Sequence, residues 1–266
     1  MHHYETVEQS SFQLSYFGSS IFGILLVLYL LAVYMSNKKY RKWPISRTLA
    51  FISATICTWF ALIGPIAQSA HTDFEAHMIT HLLLGMLAPL LLVLSSPIRL
   101  VLRALPVKYA RQLTTLLKSD FFATVTHPVI AAILNIGGLW ILYTTELYSL
   151  LHVSSLFYII VHLHVFMAGY VFTISMIYID PSPHRRSFYL RSIVLVLSMA
   201  GHSILSKWIY ANPPVGVSPI EAENGGILMY YGGDLIDLVI VIILCYQHFK
   251  GRKVKRSVYS LKTSTK

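Results

Sequence analysis

Seven stretches of this 266-residue chain stay apolar for about twenty residues or more, the length at which a helix crosses the hydrocarbon core of a bilayer. They run from Leu14 to Met35, Ile45 to Ala67, His77 to Leu102, Phe121 to Tyr143, Ser154 to Ile179, Phe188 to Tyr210 and Ile227 to Phe249. The pattern predicts an all-α, polytopic membrane domain of seven transmembrane helices over residues 1–249. A basic tail over 250–266 follows, read as an anchor at the membrane surface.

Composition agrees with the pattern. Charged residues are only 12% of the chain and the mean hydropathy is +0.62, against about a quarter charged in soluble domains. The formal charge of +10 would point to nucleic acid in a soluble protein. Here it sorts by loop, so no nucleic-acid partner is expected. Every lysine and arginine except Lys207 falls in the first, third or fifth connection or the tail. The other connections collect Asp73, Glu75, Glu146, Glu221 and Glu223, and Glu5 and Glu8 precede the first helix. The bias predicts an N-terminus outside, a cytoplasmic C-terminus and a multi-pass protein of a bacterial plasma membrane. The acidic flank also argues against a cleaved signal peptide. Cys57 and Cys245 sit far apart with no C-x-x-C spacing, so neither a redox motif nor a disulfide framework is expected.

Ionisable side chains inside the apolar stretches carry the candidate chemistry, because their burial in lipid is costly. His77 and His81 lie about 40° apart on a helix and share a face, with the small residues Gly85 and Ala88 continuing it. His162 and His164, about 200° apart, cannot both face one centre. His162 is the favoured one, and His164 is expected to bond a neighbouring carbonyl or support the site. His202 follows a run of small residues, and Asp234 and Asp237 follow Gly232-Gly233. Imidazoles and carboxylates converging from several helices are how bundle cores build metal sites. The expected ligands are His77, His81, His162, His202 and Asp234, with His71, Met78, His164 and Asp237 as supporting or outer contacts. Each has a plainer reading: a hydrogen-bonded core histidine, a His202–serine bond, or an aspartate paired with Lys207 or a histidine. His2, His3, Glu5 and His71 could collect metal at the surface or be ordinary loop residues. His127, His184 and His248 fall at the other end and are expected to be structural. Met78 occupies the second position of the His77–His81 motif, so this is not the H-E-x-x-H of metalloproteases. Imidazole with thioether suits copper, and imidazole with carboxylate suits zinc.

Several blocks carry a wider resemblance. His77-Met78-Ile79-Thr80-His81-Leu82-Leu83-Leu84 runs on to Ala88-Pro89 and Ser96-Pro97. His127-Pro128, His162, Gly169-Tyr170-Val171-Phe172, Asp180-Pro181-Ser182-Pro183 and Gly225-Gly226-Ile227-Leu228-Met229-Tyr230 follow. In these blocks the chain resembles the bacterial seven-helix cytochrome c oxidase assembly factors of the CtaG type. It departs from their pattern near the last helix, where Glu221 and Tyr230 stand in place of Asp-Gln and Trp. The resemblance implies a role in maturing a haem-copper oxidase by supplying or holding copper, with an oxidase subunit as partner. The chain is therefore expected to be a copper-binding factor rather than an enzyme, with an intramembrane zinc-dependent hydrolase as the alternative.

Overall fold

A computed structural model describes residues 2–264, with side chains described for 19–151, 153, 154 and 156–251. The side chains of His2, His3, Glu5, Glu8 and His152, and those of the basic tail from Arg252 onward, lie outside the described residues. Among the described residues the chain is helical, with no strand. Helices α1 (His2–Lys39), α2 (Ile45–Leu62) and the short α3 (Pro65–Ser69) lead into α4 (Phe74–Leu82). A π-helical turn at Leu83–Leu87 joins α4 to α5 (Ala88–Ser95), which α6 (Pro97–Ala104) extends. Next come α7 (Val107–Leu117), α8 (Asp120–Val125) and α9 (Pro128–Ala132). A second π turn at Ile133–Gly137 leads to α10 (Gly138–Thr144) and α11 (Leu147–Val153). The chain ends in α12 (Ser155–Met176), α13 (Phe188–Ala211) and α14 (Pro219–Ser264), the last continuing without a break into the expected tail.

Among the described residues, six helical segments are long and apolar enough to cross a membrane: Ser19–Lys39, Ile45–Ser69, Phe74–Ala104, Leu156–Met176, Phe188–Ala211 and Pro219–Gly251. They match six of the seven expected spans, and the chain is a multi-pass membrane protein. The stretch expected from Phe121 to Tyr143 differs. Its helix breaks at Thr126 and His127, and the backbone turns extended at His127 (φ −68, ψ 127). Pro128 is the cause, since a residue before proline is pushed out of the helical region. What remains is an apolar helix over Pro128–Thr144, about 25 Å long at 1.5 Å per residue.

The Phe74–Ala104 rod is the centre of the bundle and far more buried than any other span. Outward-facing Ile159, Leu163, Leu197, Leu235 and Ile242 are exposed, as helices surrounded by lipid allow. Pro89 has no N–H to give the carbonyl of Gly85, and the π turn takes up the misfit. Gly169 of α12 meets that same carbonyl so closely that a methyl group on Gly169 would collide with it. At the other end of the rod, Ser96 adopts a left-handed conformation (φ 53, ψ 56) and α6 restarts at Pro97. Asp180, in the loop after α12, accepts from the N–H groups of Ile98 (3.1 Å) and Arg99 (2.9 Å). The Arg99 guanidinium donates to the Ile179 carbonyl (2.7 Å). The Asp-Pro-Ser-Pro loop is thus an N-cap supplied from elsewhere in the chain. Burial holds the Asp180 carboxyl above its ordinary range, opposed by those two N–H groups.

Candidate functional site

Helix α4 starts at Asp73, whose carboxylate accepts from the Glu75 N–H (2.9 Å). Helical spacing puts His77 and His81 on one face, and both are buried. They belong to two different pairs.

The outer pair is His77 with His162 of α12, ring centroids 6.4 Å apart and nearly perpendicular. His77 Nε2 and the Tyr143 hydroxyl are hydrogen-bonded at 3.0 Å, the donor set by the tautomer. The rings of Tyr148 and Phe74 lie 5.1 and 6.0 Å from His77. His162 stacks on Tyr158 (3.9 Å) and its Nδ1–H donates to the Tyr158 carbonyl (2.8 Å). That bond puts the proton on Nδ1 and leaves the Nε2 lone pair for another partner.

The inner pair is His81 with His202 of α13, ring centroids 5.9 Å apart and planes 20° from parallel. His81 Nε2 and both ring nitrogens of His202 are buried with no hydrogen-bond partner among the described residues. Most buried polar atoms are satisfied, so such a group needs an explanation. A cavity of about 20 Å³ lies beside them, lined by His81, His202, Asp237, Asn135, Ser198 and Thr173 among others. It has room for roughly one water or one ion. The glycine at 233 is needed for this arrangement, because a methyl group there would run into the His202 ring.

The other expected residues fall around these pairs. Asp237 is buried and lines the cavity, whereas half-buried Asp234 accepts from the Ser203 hydroxyl (3.4 Å). The structure therefore brings the expected supporting aspartate to the inner pair and the expected ligand aspartate to its edge. His164 donates Nε2–H to the Leu134 carbonyl (3.1 Å) and abuts Gly138, away from both pairs. Met78 is fully buried in an apolar cluster with Leu205, Ile209 and Met229. His71 lies over Tyr158 (5.2 Å) and lines a vestibule at the end of the bundle bearing Asp73. Lys207 sits over the Tyr230 ring (5.1 Å). His248 stacks on Phe188 (3.9 Å) at the far end.

Tyr143, Tyr148 and Asn135 were not singled out by sequence reasoning. An amide inside an apolar stretch was a usable signal for Asn135, but nothing local marks the two tyrosines. Among the described residues no three His, Cys, Asp or Glu side chains already converge as a metal cage. The donor set of the inner pair nevertheless fits an ion: two imidazoles with unpaired nitrogens, a carboxylate and a cavity of matching size.

Comparison with known proteins gives the chain its relatives. An uncharacterized protein of Mycobacterium leprae is 28% identical over 226 residues, covering 77% of this chain and 34% of the relative. Uncharacterized proteins of Mycobacterium bovis and Mycobacterium tuberculosis are each 30% identical over 174 residues, covering 63% of this chain and 26% of each relative. The chain thus spans about a third or less of these curated relatives. No solved structure matches it. A family model described as cytochrome c oxidase caa3 assembly factor matches residues 27–251, from within the first span to the end of the last. This chain belongs to that family of cytochrome c oxidase assembly factors.

Proposed function

We propose that this protein holds a copper ion inside the membrane and delivers it to a haem-copper oxidase during assembly. The observation that carries the reading is the His81–His202 pair: buried imidazoles on separate helices, nitrogens unpaired, beside an ion-sized cavity that Asp237 also lines. His81 and His202 hold the ion, Asp237 offsets its charge, and His77 and His162 form a second station one helical turn further out. A bound cation also relieves the cost of burying a carboxylate and unpaired ring nitrogens together. The metal's role is that of cargo, and the partner is an oxidase subunit.

Pro128–Thr144 serves as the seventh span, short but within the range that crosses a bilayer. Seven spans put the termini on opposite sides, and the basic connections put the N-terminus outside. The histidine pairs then lie in the outer half of the membrane, on the side bearing Asp73 and Glu221. The zinc hydrolase alternative would need substrate room beside the ion. A cavity of about 20 Å³ favours holding over turnover.

The test is elemental analysis of protein purified in mild detergent, beside a His81→Ala/His202→Ala variant of equal helical content. Copper near one equivalent, lost in the variant, is the expected result. Zinc lost in the same way would favour the hydrolase or a structural site. No metal after loading with either ion would overturn the reading.

A further inference from the structure

Between the outer surface and the histidines lies a feature that the proposed function leaves unused. A vestibule of about 300 Å³ opens at the end of the bundle bearing Asp73, and its lining includes His71, Asp73, Phe74, Tyr148 and Glu221. Its ionisable lining is acidic or imidazole, which suits a cation and disfavours an anion. Asn224 of α14 donates to Glu75 (2.6 Å), tying the last helix to the start of α4 beside this mouth.

The vestibule does not run freely into the histidines. Phe74 and Tyr148 are both buried, and their rings meet edge to face at 5.5 Å. Both rings also pack against His77, the outermost buried histidine, so a cation in the vestibule and His77 lie on opposite sides of one aromatic layer. Tyr148 sits on α11, a seven-residue helix bounded by extended residues at Thr145 and Ser154. A helix that short is held by packing rather than by its own hydrogen bonds. Burial, with the Glu221 carboxylate adding to it, pushes the Tyr148 phenol up.

A larger cavity that reaches His162 offers a poorer route. It holds about 610 Å³ beside His162, but its lining is almost wholly apolar, including Ile21, Leu25, Leu62, Ile159 and Phe166. The hydroxyls of Thr55 and Thr58 on that wall are bonded back to their own helix. Until it reaches Tyr158 and His162, a bare or hydrated cation meets only apolar groups and those two bonded hydroxyls along it.

We infer that Tyr148, with Phe74, gates the exchange of cation between the acidic vestibule and His77, so that loading and hand-over take place from the outer aqueous side. The gate rests on the proposed function for its cargo, but its opening can be read without metal. In a Cys57→Ser/Cys245→Ser background, His77→Cys is exposed to a cationic, membrane-impermeant thiol reagent in proteoliposomes. Ser149→Cys, in the vestibule wall, reports an open position. The expected result is slow labelling at 77 and fast labelling at 149. Tyr148→Ala should speed labelling at 77 by about tenfold, that is about 1.4 kcal/mol, and Tyr148→Phe should restore the slow rate. Equal labelling at 77 with Tyr and Ala at position 148, or fast labelling with both, overturns the gate. With His77 intact, Tyr148→Ala should also speed copper release to a chelator without changing occupancy at equilibrium. Copper that binds but leaves at an unchanged rate overturns the gate alone. Copper that never binds overturns the proposed function, while the labelling result still decides whether the aromatic layer opens.

Discussion

His81 and His202 face each other with their rings 5.9 Å apart, one from α4 and one from α13, and three of their ring nitrogens have no partner among the described residues. Leaving a buried polar group unsatisfied costs about 1–3 kcal/mol. Replacing both partners with apolar groups of similar size removes that cost. The His81→Leu/His202→Leu variant, stripped of metal, should therefore melt at or above the native temperature in the same detergent. Added copper should raise the native melting temperature and leave the variant's unchanged. A large fall in the metal-free variant would mean that the imidazoles hold the bundle together.

The two aspartates of α14 should separate in the same assay. Asp237 lines the cavity with the two histidines, whereas Asp234 meets the Ser203 hydroxyl at a long 3.4 Å. Asp237→Asn keeps the shape but removes the charge, and should weaken copper binding by about 10- to 100-fold, the usual range for a group supporting a metal site. Asp234→Asn should change it much less. Competition with a chromophoric chelator measures both, and equal losses would contradict the assignment.

Close backbone contact makes a prediction that needs no metal. A methyl group at Gly169 would strike the Gly85 carbonyl, whereas one at Gly23 of α1 meets nothing within 4 Å. Gly169→Ala should destabilise the protein by about 1–3 kcal/mol or more, since overpacking must push two helices apart. Gly23→Ala should be neutral or stabilise by up to about 1 kcal/mol through helix propensity. Thermal melts in one detergent compare the two directly.

How far these features could be read in advance follows from the range of the forces behind them. Spans are set by the local run of apolar residues, so six of the expected seven match helical segments long and apolar enough to cross a membrane. The break at Thr126–His127 was also locally written, in Pro128, but hydropathy averaged over twenty residues hides a single proline. The face shared by His77 and His81 follows from helical spacing. The choice of Asp237 over Asp234 does not, because residues three apart share a face and only the packing of α13 on α14 decides which one meets the cavity. Tyr143 reaches His77 from 66 positions away, and no local pattern encodes that distance. Asp180 likewise reads as a loop residue until the N–H groups of Ile98 and Arg99 are seen beside it.

Asp180 gives the protein's stability a pH dependence of definite sign. Burial raises its folded pKa above the ordinary 3.8, against the pull of the two N–H groups and Arg99. The folded protein thus holds this proton more tightly than the unfolded chain. The corresponding stability is fully present below about 3.8 and is lost as pH rises through the folded value. On acidification from neutral pH, the native protein should gain stability relative to Asp180→Asn, which has no proton to take up there. Asparagine still accepts at a helix start, so its cost at neutral pH should be small. Asp180→Ala leaves both N–H groups without their acceptor and should cost about 1–2 kcal/mol. Melting temperatures of the three proteins across mildly acidic to neutral pH check this, with Asn as the reference that cancels other titrating groups. If the native protein instead loses ground to the Asn variant on acidification, then the carboxylate's charge contributes more to capping α6 than its burial costs.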